Sequence, residues 1–413
     1  MQKGKNSIGF DLTKSRTPKR HFTGTHRSLA PQETWQRLAP LIGKFGITRI
    51  ADITGLDRIG IQVATATRPL SRSIAVAAGK GVDLAAAKVS AAMEAIECAH
   101  AEAIDRPLVL ASREELRRRR RVVALEALPV LIGSQIDEHT RLLWIEGRDI
   151  ANDSVIMLPY ELVHAHFAPP HLPGSGAFLA TTNGLASGNA IAEATCHGLF
   201  EVIERDALNL WSRLAPVKRN ERLVDLSNVT DAAASAVVDR LMDAGFEVAV
   251  WDITSDLKVP AFHCMIVDAL EPEGHPGTGS GCHPDKNVAL SRALLEAVQV
   301  RGTYISGGRD DLSRREYEAS HMQSFRNLVE GRHGESKPRR FEHLASSRTE
   351  YFEDDLASAI ANFKGAKIDS VIVVDLSEPD RSAVHVVRVV VPGLEGPLTE
   401  DAHPGERALR LSQ

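Results

Sequence analysis

The stretch TTNGLASGNAIAEATCHGLFEVIERDALNLW, residues 181–211, decides how the rest of the chain is organised. It opens with Gly184 and Gly188, and Asn189 is a candidate helix start, after which one long helix is predicted. At about 100° per residue, the polar side chains of this helix fall within an arc of roughly 120°. The arc holds Asn189, Glu193, His197, Glu201 and Glu204, with Arg205 beside it. Three carboxylates therefore line one side of one helix.

Two interpretations of this acidic stripe stay open from the residues alone. A solvated helix face is the commoner one, but such a face normally mixes Lys with Glu, and this stripe has no lysine. Like charges at close helical spacing repel, and a divalent cation would remove that repulsion. Carboxylate oxygens suit Mg²⁺ or Ca²⁺ much better than a thiophilic metal. A metal-free network of internal hydrogen bonds is the structural alternative.

Composition describes an ordinary globular chain of 413 residues and 44.9 kDa, with 43% hydrophobic and 25% charged residues. The net charge of −5 and the 5% of aromatic residues argue against a nucleic-acid partner. The cysteines form no CxxC pair, which fits a reducing cytoplasm. We find no uncharged apolar run of about 18 residues, so no membrane association is expected.

A second acidic helix is predicted over residues 84–103, directly after Gly79-Lys80-Gly81. It consists mostly of alanine and other small apolar residues, yet Glu94 and Glu97 share one face. Carboxylates on an otherwise apolar helix need a cation or hydrogen bonds to offset their desolvation. A second predicted helix therefore also carries carboxylates on one face.

A third segment, GHPGTGSGCHPD at residues 274–285, precedes a helix that contains Arg292 and Glu296. Glycines before a helix N-terminus let backbone N–H groups approach a phosphate, although a plain loop is the commoner explanation. Strands and helices alternate along the chain without a clean repeat. The expected fold class is therefore α/β or α+β, with mixed sheets and packed helices.

The chemistry of these segments points to phosphoryl transfer, in which carboxylates hold Mg²⁺, Mg²⁺ holds phosphates and cations offset the developing charge. No GxxxxGK[ST] motif is present, nor a GxGxxG motif with an acidic residue at dinucleotide spacing, so a nucleotide site here is unconventional. We interpret His100, His197 and His283 as core or loop residues, and Cys98 and Cys196 as buried small residues rather than nucleophiles.

Three segments closely resemble, in order and spacing, the motif regions of the YcaO family: SRSIAVAAGKGVDLAAAKVSAAMEAIE, TTNGLASGNAIAEATCHGLFEVIERDAL and GSGCHPDKNVALSRALLEAVQVR. The resemblance covers most of residues 19–305 and, more weakly, the final strands. It implies a YcaO-like fold with a non-P-loop ATP site. The implied Mg²⁺ ligands are Glu94, Glu97, Glu201 and Glu204. The implied ATP-binding residues are Lys80, Asn189, Glu193, Arg205, Arg292 and Glu296, with Arg27 a weaker correspondence. Cys98 departs from the family pattern, which often has arginine there.

Members of this family use ATP to activate a backbone amide of a peptide or protein, so ATP and Mg²⁺ are the expected cofactors. A neighbouring Cys, Ser or Thr side chain then gives an azoline, whereas external sulfide gives a thioamide. The chain ends in ALRLSQ without a PxPxP tail, and no E1-like domain is fused to it. It thus looks more like the stand-alone members that install thioamides with a TfuA-like partner. An azoline-forming cyclodehydratase and a non-catalytic ATP-binding accessory protein remain alternatives.

The expected domain organisation is a flexible basic arm over residues 1–24, a catalytic domain over 25–398 and an irregular polar tail over 399–413. A charged insertion or lid is expected at about residues 306–350 within that domain. The resemblance also implies a homodimer, since relatives form them. No catalytic residue is assigned, because the family's chemistry needs no protein nucleophile.

Overall fold

The computed structural model describes residues 16–271, 273–330, 337–378 and 383–411. Alanine-rich and amphipathic stretches form the helices, and β-branched or glycine-rich runs form the strands. The helices are α1 (Pro31–Leu38), α2 (Leu84–Glu102), α3 (Arg113–Arg117), α4 (Ile191–Ser212), α5 (Pro216–Asn220), α6 (Ala232–Asp243), α7 (Lys286–Ser306), α8 (Ala319–Glu330), α9 (Phe352–Gly365) and α10 (Glu406–Leu411). The predicted combination of sheets and packed helices is confirmed.

The strands build three sheets and one short parallel pair. The strands are β1 (Arg49–Asp52), β2 (Gln62–Thr67), β3 (Val76–Gly81), β4 (Val109–Ala111), β5 (Leu142–Asp149), β6 (Ser154–Pro159), β7 (Leu185–Gly188), β8 (Val224–Asp225), β9 (Phe246–Asp252), β10 (Ala261–Asp268), β11 (Gly277–Cys282), β12 (Arg339–Arg340), β13 (Ile372–Asp375) and β14 (His385–Val390). One sheet has the order β1-β2-β3, and another has the order β11-β10-β9. The largest runs β4-β5-β13-β14-β7 with β6 paired to β5, and β12 pairs with β8.

Each of the three sheets carries one long helix. Helix α2 packs on β2 and β3, α4 packs on β7 and β14, and α7 packs on β10 and β11. These helices also contact neighbouring sheets, since α2 meets β7, α4 meets β11 and α7 meets β3. Each helix thereby buries one face on its own sheet, and the three sheets are drawn together around α2, α4 and α7.

Two local predictions within the motif regions are wrong. Helix α4 begins at Ile191 after an N-cap at Ala190, so Asn189 is not the helix start. The Asn189 side-chain oxygen instead accepts a hydrogen bond from the Thr34 hydroxyl at 3.2 Å. The glycine-rich stretch before α7 is also not a loop, because residues 277–282 form strand β11 and pair in antiparallel register with β10.

The chain termini are more ordered than predicted over the residues that the structure describes. Residues 1–15 of the expected flexible arm lie outside those residues. Pro18 forms a β-bridge with Tyr351, and the Lys19 side chain pairs with Asp355 in a buried position. The expected irregular tail contains α10, whose N-terminal amides of Gly405 and Ala408 donate to the buried Glu395 carboxylate. Tertiary contacts therefore order both segments.

The expected charged insertion has local structure where it is described, with α8 and β12 flanking residues 331–336, which lie outside the described part. Its boundaries as a separate insertion stay a prediction. The arginine run Arg117–Arg121 begins at the end of α3 and lies at the surface, where Arg118 pairs with Glu114 and Arg121 pairs with Asp149. Within the described ranges, no helix is both long and apolar enough to cross a bilayer.

Candidate active site

The acidic side chains come together because three strand–helix units pack unusually closely. In each unit the helix starts shortly after the strand ends, and a glycine in the strand faces the helix backbone. A Cβ atom on Gly79 would lie 2.3 Å from the Ala87 carbonyl oxygen of α2, and one on Gly279 would lie 2.3 Å from the Ala293 carbonyl oxygen of α7. Both distances are prohibitive for any side chain. The glycines of these motifs thus serve close backbone packing.

An ion pair closes the space between two of these units. Lys80 on β3 places its Nζ atom 2.7 Å from Glu296 Oε2 on α7, and both side chains are about one-fifth exposed (21% each). Burial alone would raise the pKa of Glu296, but Lys80 and Arg205 lower it below its usual range. Lys80 and Glu296, both predicted as ATP-binding residues, are therefore direct neighbours.

Helix α4 contributes the next pair of charges. Arg205 lies 3.7 Å from the carboxylate of Glu204, which is buried. Burial raises the pKa of Glu204, while Arg205 and Arg292 act against that shift. Conversely, burial would lower the pKa of Arg205, but the carboxylates of Glu204 and Glu296 raise it. Residues from α4 and α7 thus share one electrostatic environment.

Helix α2 adds two carboxylates that have no ion-pair partner within 4 Å among the described residues. Burial raises the pKa of Glu94 to about 7, against the opposing effects of Lys80 and Arg309. Burial likewise raises the pKa of Glu97 to about 8, although the Ser187 hydroxyl and backbone N–H donate to it at 2.6 and 2.8 Å. Near neutral pH these two carboxyl groups are partly protonated, and they need a cation to ionise fully.

Glu201 links the α4 stripe to the turn that precedes β7. Its carboxylate accepts a hydrogen bond from the Gly184 backbone N–H at 3.3 Å. Burial raises the pKa of Glu201, whereas Arg205 and Arg292 lower it. Glu201 and Glu97 therefore face the same cluster of charges from different helices.

Glu193 belongs to the edge of this cluster and is already engaged. It is buried, lies 3.3 Å from the Arg27 guanidinium and accepts from the Ser28 backbone N–H at 3.2 Å and from the Ser28 hydroxyl. Asn189, on the same side, contacts Thr34. The N-terminal segment thus covers the first turn of α4, and Arg27 becomes a neighbour of the site through Glu193.

Three residues near this cluster were missed by the sequence analysis. Ser187 on β7 holds Glu97, Arg309 affects Glu94 from the segment after α7, and Arg388 on β14 affects Glu201. Ser187 was visible as part of the TTNGLASGN motif. Arg309 lies in a segment with many charged residues, and Arg388 is a single charge inside an apolar strand, so no sequence pattern marked either residue as part of the site.

The donor set fits Mg²⁺ bound together with a triphosphate. Within the described part of the chain, no three His, Cys, Asp or Glu side chains are close enough to hold a metal ion alone. Mg²⁺ usually takes only one or two protein carboxylates and fills its other positions with phosphate oxygens and water. Glu94, Glu97, Glu201 and Glu204 could supply hard oxygen ligands, and a divalent cation would offset the desolvation that raises their pKa values.

The buried cysteines and histidines around the cluster are not activated nucleophiles or bases. Burial raises the pKa of the Cys98 thiol to about 12 and that of Cys196 well above its usual value, so both thiols stay protonated. Burial also lowers the pKa of His197 and His283 well below the usual range. The interpretation of these residues as buried rather than nucleophilic groups agrees with this arrangement. The site can position and neutralise anions without using these thiols or imidazoles.

Comparison with known proteins gives an independent indication of the same chemistry. The family model described as "YcaO cyclodehydratase, ATP- and Mg2+-binding" matches residues 78–395. An uncharacterized protein in the tfuA 3′ region of Rhizobium leguminosarum bv. trifolii is 35% identical over 384 residues, which cover 89% of this chain and 88% of that protein. An uncharacterized protein of Methanothermobacter thermautotrophicus is 33% identical over 377 residues, covering 89% of this chain and 95% of that protein.

Solved structures share the fold at low sequence identity. YcaO from Methanopyrus kandleri, bound with AMPPCP and Mg²⁺, has a TM-score of 0.72 at 22% identity, over 94% of this chain and 99% of that one. A heterocyclase in complex with substrate and cofactor has a TM-score of 0.75 at 20% identity, over 92% of this chain and 54% of that one. At these sequence identities, the two comparisons show that the fold is shared.

Proposed function

The chain belongs to the YcaO family, and from that premise we propose that it uses ATP and Mg²⁺ to activate a backbone amide of a peptide or protein. ATP and Mg²⁺ are the cofactors of this family. We further propose that the product is a thioamide and that the enzyme works with a TfuA-like partner. Formation of an azoline ring by cyclodehydration is the alternative for the same activated amide.

One observation carries this proposal: carboxylates from α2, α4 and α7 share one cluster with Lys80, Arg205 and Arg292. Phosphoryl transfer needs this combination, because catalysis there is mainly positioning and charge compensation. The burial and charge of the cluster thus favour activation of a substrate oxygen.

The proposed role of each residue in the cluster follows from its charge. We assign Glu94, Glu97, Glu201 and Glu204 to Mg²⁺, and Lys80, Arg205 and Arg292 to the phosphates, with Glu296 holding Lys80 in place. Asn189 and Glu193, which contact the N-terminal segment, are assigned to the far end of the nucleotide. When bound, Mg²⁺–ATP supplies the phosphoryl group that turns an amide oxygen into a leaving group. The attacking sulfur or side chain comes from outside the protein.

The choice of thioamide over azoline is supported by the relative in the tfuA 3′ region of Rhizobium leguminosarum bv. trifolii. A gene beside tfuA is what a TfuA-dependent enzyme would have. A thioamide synthetase must accept sulfide as an external nucleophile, whereas a cyclodehydratase uses a neighbouring side chain of the peptide. The two activities therefore differ in their requirement for an added sulfur source.

The test combines the purified chain with a TfuA-like protein, ATP, Mg²⁺, sulfide and a peptide encoded beside its gene. We expect peptide-dependent ATP consumption and a gain in peptide mass equal to the replacement of oxygen by sulfur. Loss of one water from the peptide, without a need for sulfide, would assign azoline formation. ATP consumption that no peptide stimulates would favour a non-catalytic accessory protein. The Glu201→Gln variant is the control for background hydrolysis.

The expected homodimer and the cytoplasmic location stay predictions. Light scattering of the purified chain, alone and with the TfuA-like protein, measures the first directly. A second copy or the partner is not required for the cluster to form, since every residue assigned to it comes from one chain.

A further inference from the structure

Strand β14 contains a buried arginine that the proposed function does not yet use. Arg388 is only 3% exposed and lies between the apolar residues Val387 and Val389. Its Nε donates to the Leu162 carbonyl at 2.8 Å, and its Nη2 donates to the Thr181 carbonyl at 2.6 Å. Among the described residues, no carboxylate lies within ion-pair distance, and Nη1 has no hydrogen-bond partner. Burying a guanidinium in this way is costly.

Arg388 interacts electrostatically with one carboxylate of the acidic cluster, Glu201. Burial lowers the pKa of Arg388 to about 10, and the carboxylate of Glu201 opposes that shift. Arg388 in turn contributes to lowering the pKa of Glu201, together with Arg205 and Arg292. Val387 and Val389 pack in the core with α4, so the Arg388 side chain lies on the other face of β14 and forms no direct ion pair with Glu201.

A short turn, residues 181–184, links Arg388 to Glu201 through hydrogen bonds. Thr181, whose carbonyl is held by Arg388, begins the turn that ends at Gly184. The Gly184 carbonyl accepts from the Val389 backbone N–H at 2.8 Å, and its own N–H donates to Glu201. Gly184 has a φ of +78°, and a Cβ there would lie 2.2 Å from the Val389 carbonyl oxygen. The turn is thus clamped to β14 on one side and holds Glu201 on the other.

We propose that Arg388 is a positioning residue for the nucleotide site: it anchors the turn 181–184, and the turn's Gly184 N–H orients the Glu201 carboxylate toward Mg²⁺. The proposal rests on the proposed function, in which Glu201 is a metal ligand. Residues that orient metal ligands without touching the metal commonly change metal affinity or activity when they are replaced. Arg388 fits this description because it acts on Glu201 only through the turn and through its charge.

The test compares Arg388→Met with Arg68→Met. Arg68 is similarly buried (8%) and also donates to a backbone carbonyl, that of Phe45, but its carboxylate partner is Glu102, outside the acidic cluster. Binding of AMPPCP is measured by calorimetry over a range of Mg²⁺ concentrations, and Gly184 amide exchange is followed by mass spectrometry. We expect Arg388→Met to raise the Mg²⁺ concentration for half-maximal binding by about 10- to 100-fold, and to speed exchange at Gly184. Arg68→Met should change neither.

An unchanged Mg²⁺ requirement in folded Arg388→Met protein would overturn the proposal. If that variant does not fold, Arg388→Lys keeps the charge but cannot hold both carbonyls with one planar group, and it is expected to give the same shift. Gly184→Ala disturbs the turn independently and should match it. Glu201→Gln distinguishes the assignment of Glu201 to Mg²⁺ from the positioning role of Arg388. If Glu201→Gln does not change the Mg²⁺ dependence, the assignment of Glu201 to the metal is rejected. If Glu201→Gln changes it and Arg388→Met does not, only the positioning role of Arg388 is rejected.

Discussion

Lys80 Nζ lies 2.7 Å from Glu296 Oε2, and this contact joins residues that are 216 positions apart in the sequence. It ties strand β3 to helix α7 at the point where α2 and α4 also bring their carboxylates. Lys80 and Arg205 lower the pKa of Glu296 below its usual range, whereas burial raises the pKa of Glu97 on α2 to about 8, so Glu296 ionises at a lower pH than Glu97 does. The ion pair therefore fixes the position of Glu296 among the other acids, which in the proposed function would exchange protons for Mg²⁺.

Replacing Lys80 with methionine is expected to lower kcat/KM for ATP turnover by about a hundredfold, as for the loss of one preorganised electrostatic contact in an active site. The change removes a cation from the cluster that we propose binds the phosphates, and it removes the ion pair with Glu296. Steady-state kinetics with ATP and peptide measure the effect. Lys88→Met, on α2, is the matched control, and equal losses in both variants would contradict the role of Lys80.

The metal-free protein should lose stability as the pH rises from about 6.5 to about 8.5, because the folded state binds more protons than the unfolded state in this range. Burial raises the pKa of Glu94 to about 7 and of Glu97 to about 8 in the folded state, so both must ionise without a cation. Buried histidines such as His26, with a pKa of about 3, act the opposite way, but mainly below their usual pKa of 6.5.

Thermal unfolding at the two ends of this pH range measures the slope. The Glu97→Gln variant, which cannot ionise at this position, should show a smaller decrease in Tm than the wild type. Adding Mg²⁺ and AMPPCP should stabilise the wild type more at the alkaline end, where the carboxylates release their protons to the solvent more readily. A Tm that rises with pH, or an identical slope in the variant, speaks against protonated carboxyl groups in the empty site.

Lys19→Met should destabilise the chain by about 3 to 5 kcal/mol, the usual result of leaving one partner of a buried ion pair unpaired. Lys19 Nζ lies 2.5 Å from Asp355, with side-chain exposures of 0% and 1%. Urea unfolding measures the difference. Arg16→Ala removes the neighbouring but exposed pair with Asp354 and should cost little. A similar small effect of both changes would mean that residues 16–24 are detached in solution.

Arg407→Met should likewise destabilise the fold by about 3 to 5 kcal/mol, because it leaves the fully buried Asp206 without its partner. The Arg407 guanidinium donates to both Asp206 oxygens at 2.9 and 3.0 Å and also pairs with Asp256. The matched change is Arg410→Ala, whose exposed pair with Glu406 should contribute little. Equal unfolding midpoints for the two variants would show that α10 does not stabilise the core.

The sequence predicted the parts of the site that depend on local periodicity. Glu201 and Glu204 share a helix face with Glu193 because of the helical repeat alone, and Glu94 with Glu97 follows in the same way. Their convergence followed only from the family resemblance, since contacts such as Lys80 with Glu296 connect distant segments. Local pattern carries no information about which helix faces meet.

Tertiary contacts account for the predictions that failed. The segment that forms strand β11 was expected as a loop because glycine has a low strand propensity. In the structure, the absence of side chains on these glycines allows α7 to pack closely on the sheet. Helix α10 is too short to be stable alone and exists because Glu395 and Arg407 fix it to the domain. Asn189 looked like an N-cap by residue type, yet its side chain is engaged by Thr34.

The central claim is that side chains from α2, α4 and α7 together hold Mg²⁺ and a triphosphate, the carboxylates of α2 and α4 on the metal and Glu296 of α7 through Lys80, and calorimetric binding of AMPPCP in the presence of Mg²⁺ tests it most directly. One variant is taken from each helix, Glu97→Gln on α2, Glu204→Gln on α4 and Glu296→Gln on α7, with Glu395→Gln as a buried carboxylate outside the cluster. The account predicts that each of the three weakens Mg²⁺-dependent binding by at least about tenfold, while the control binds as the wild type does. Wild-type affinity in all three folded variants would contradict it.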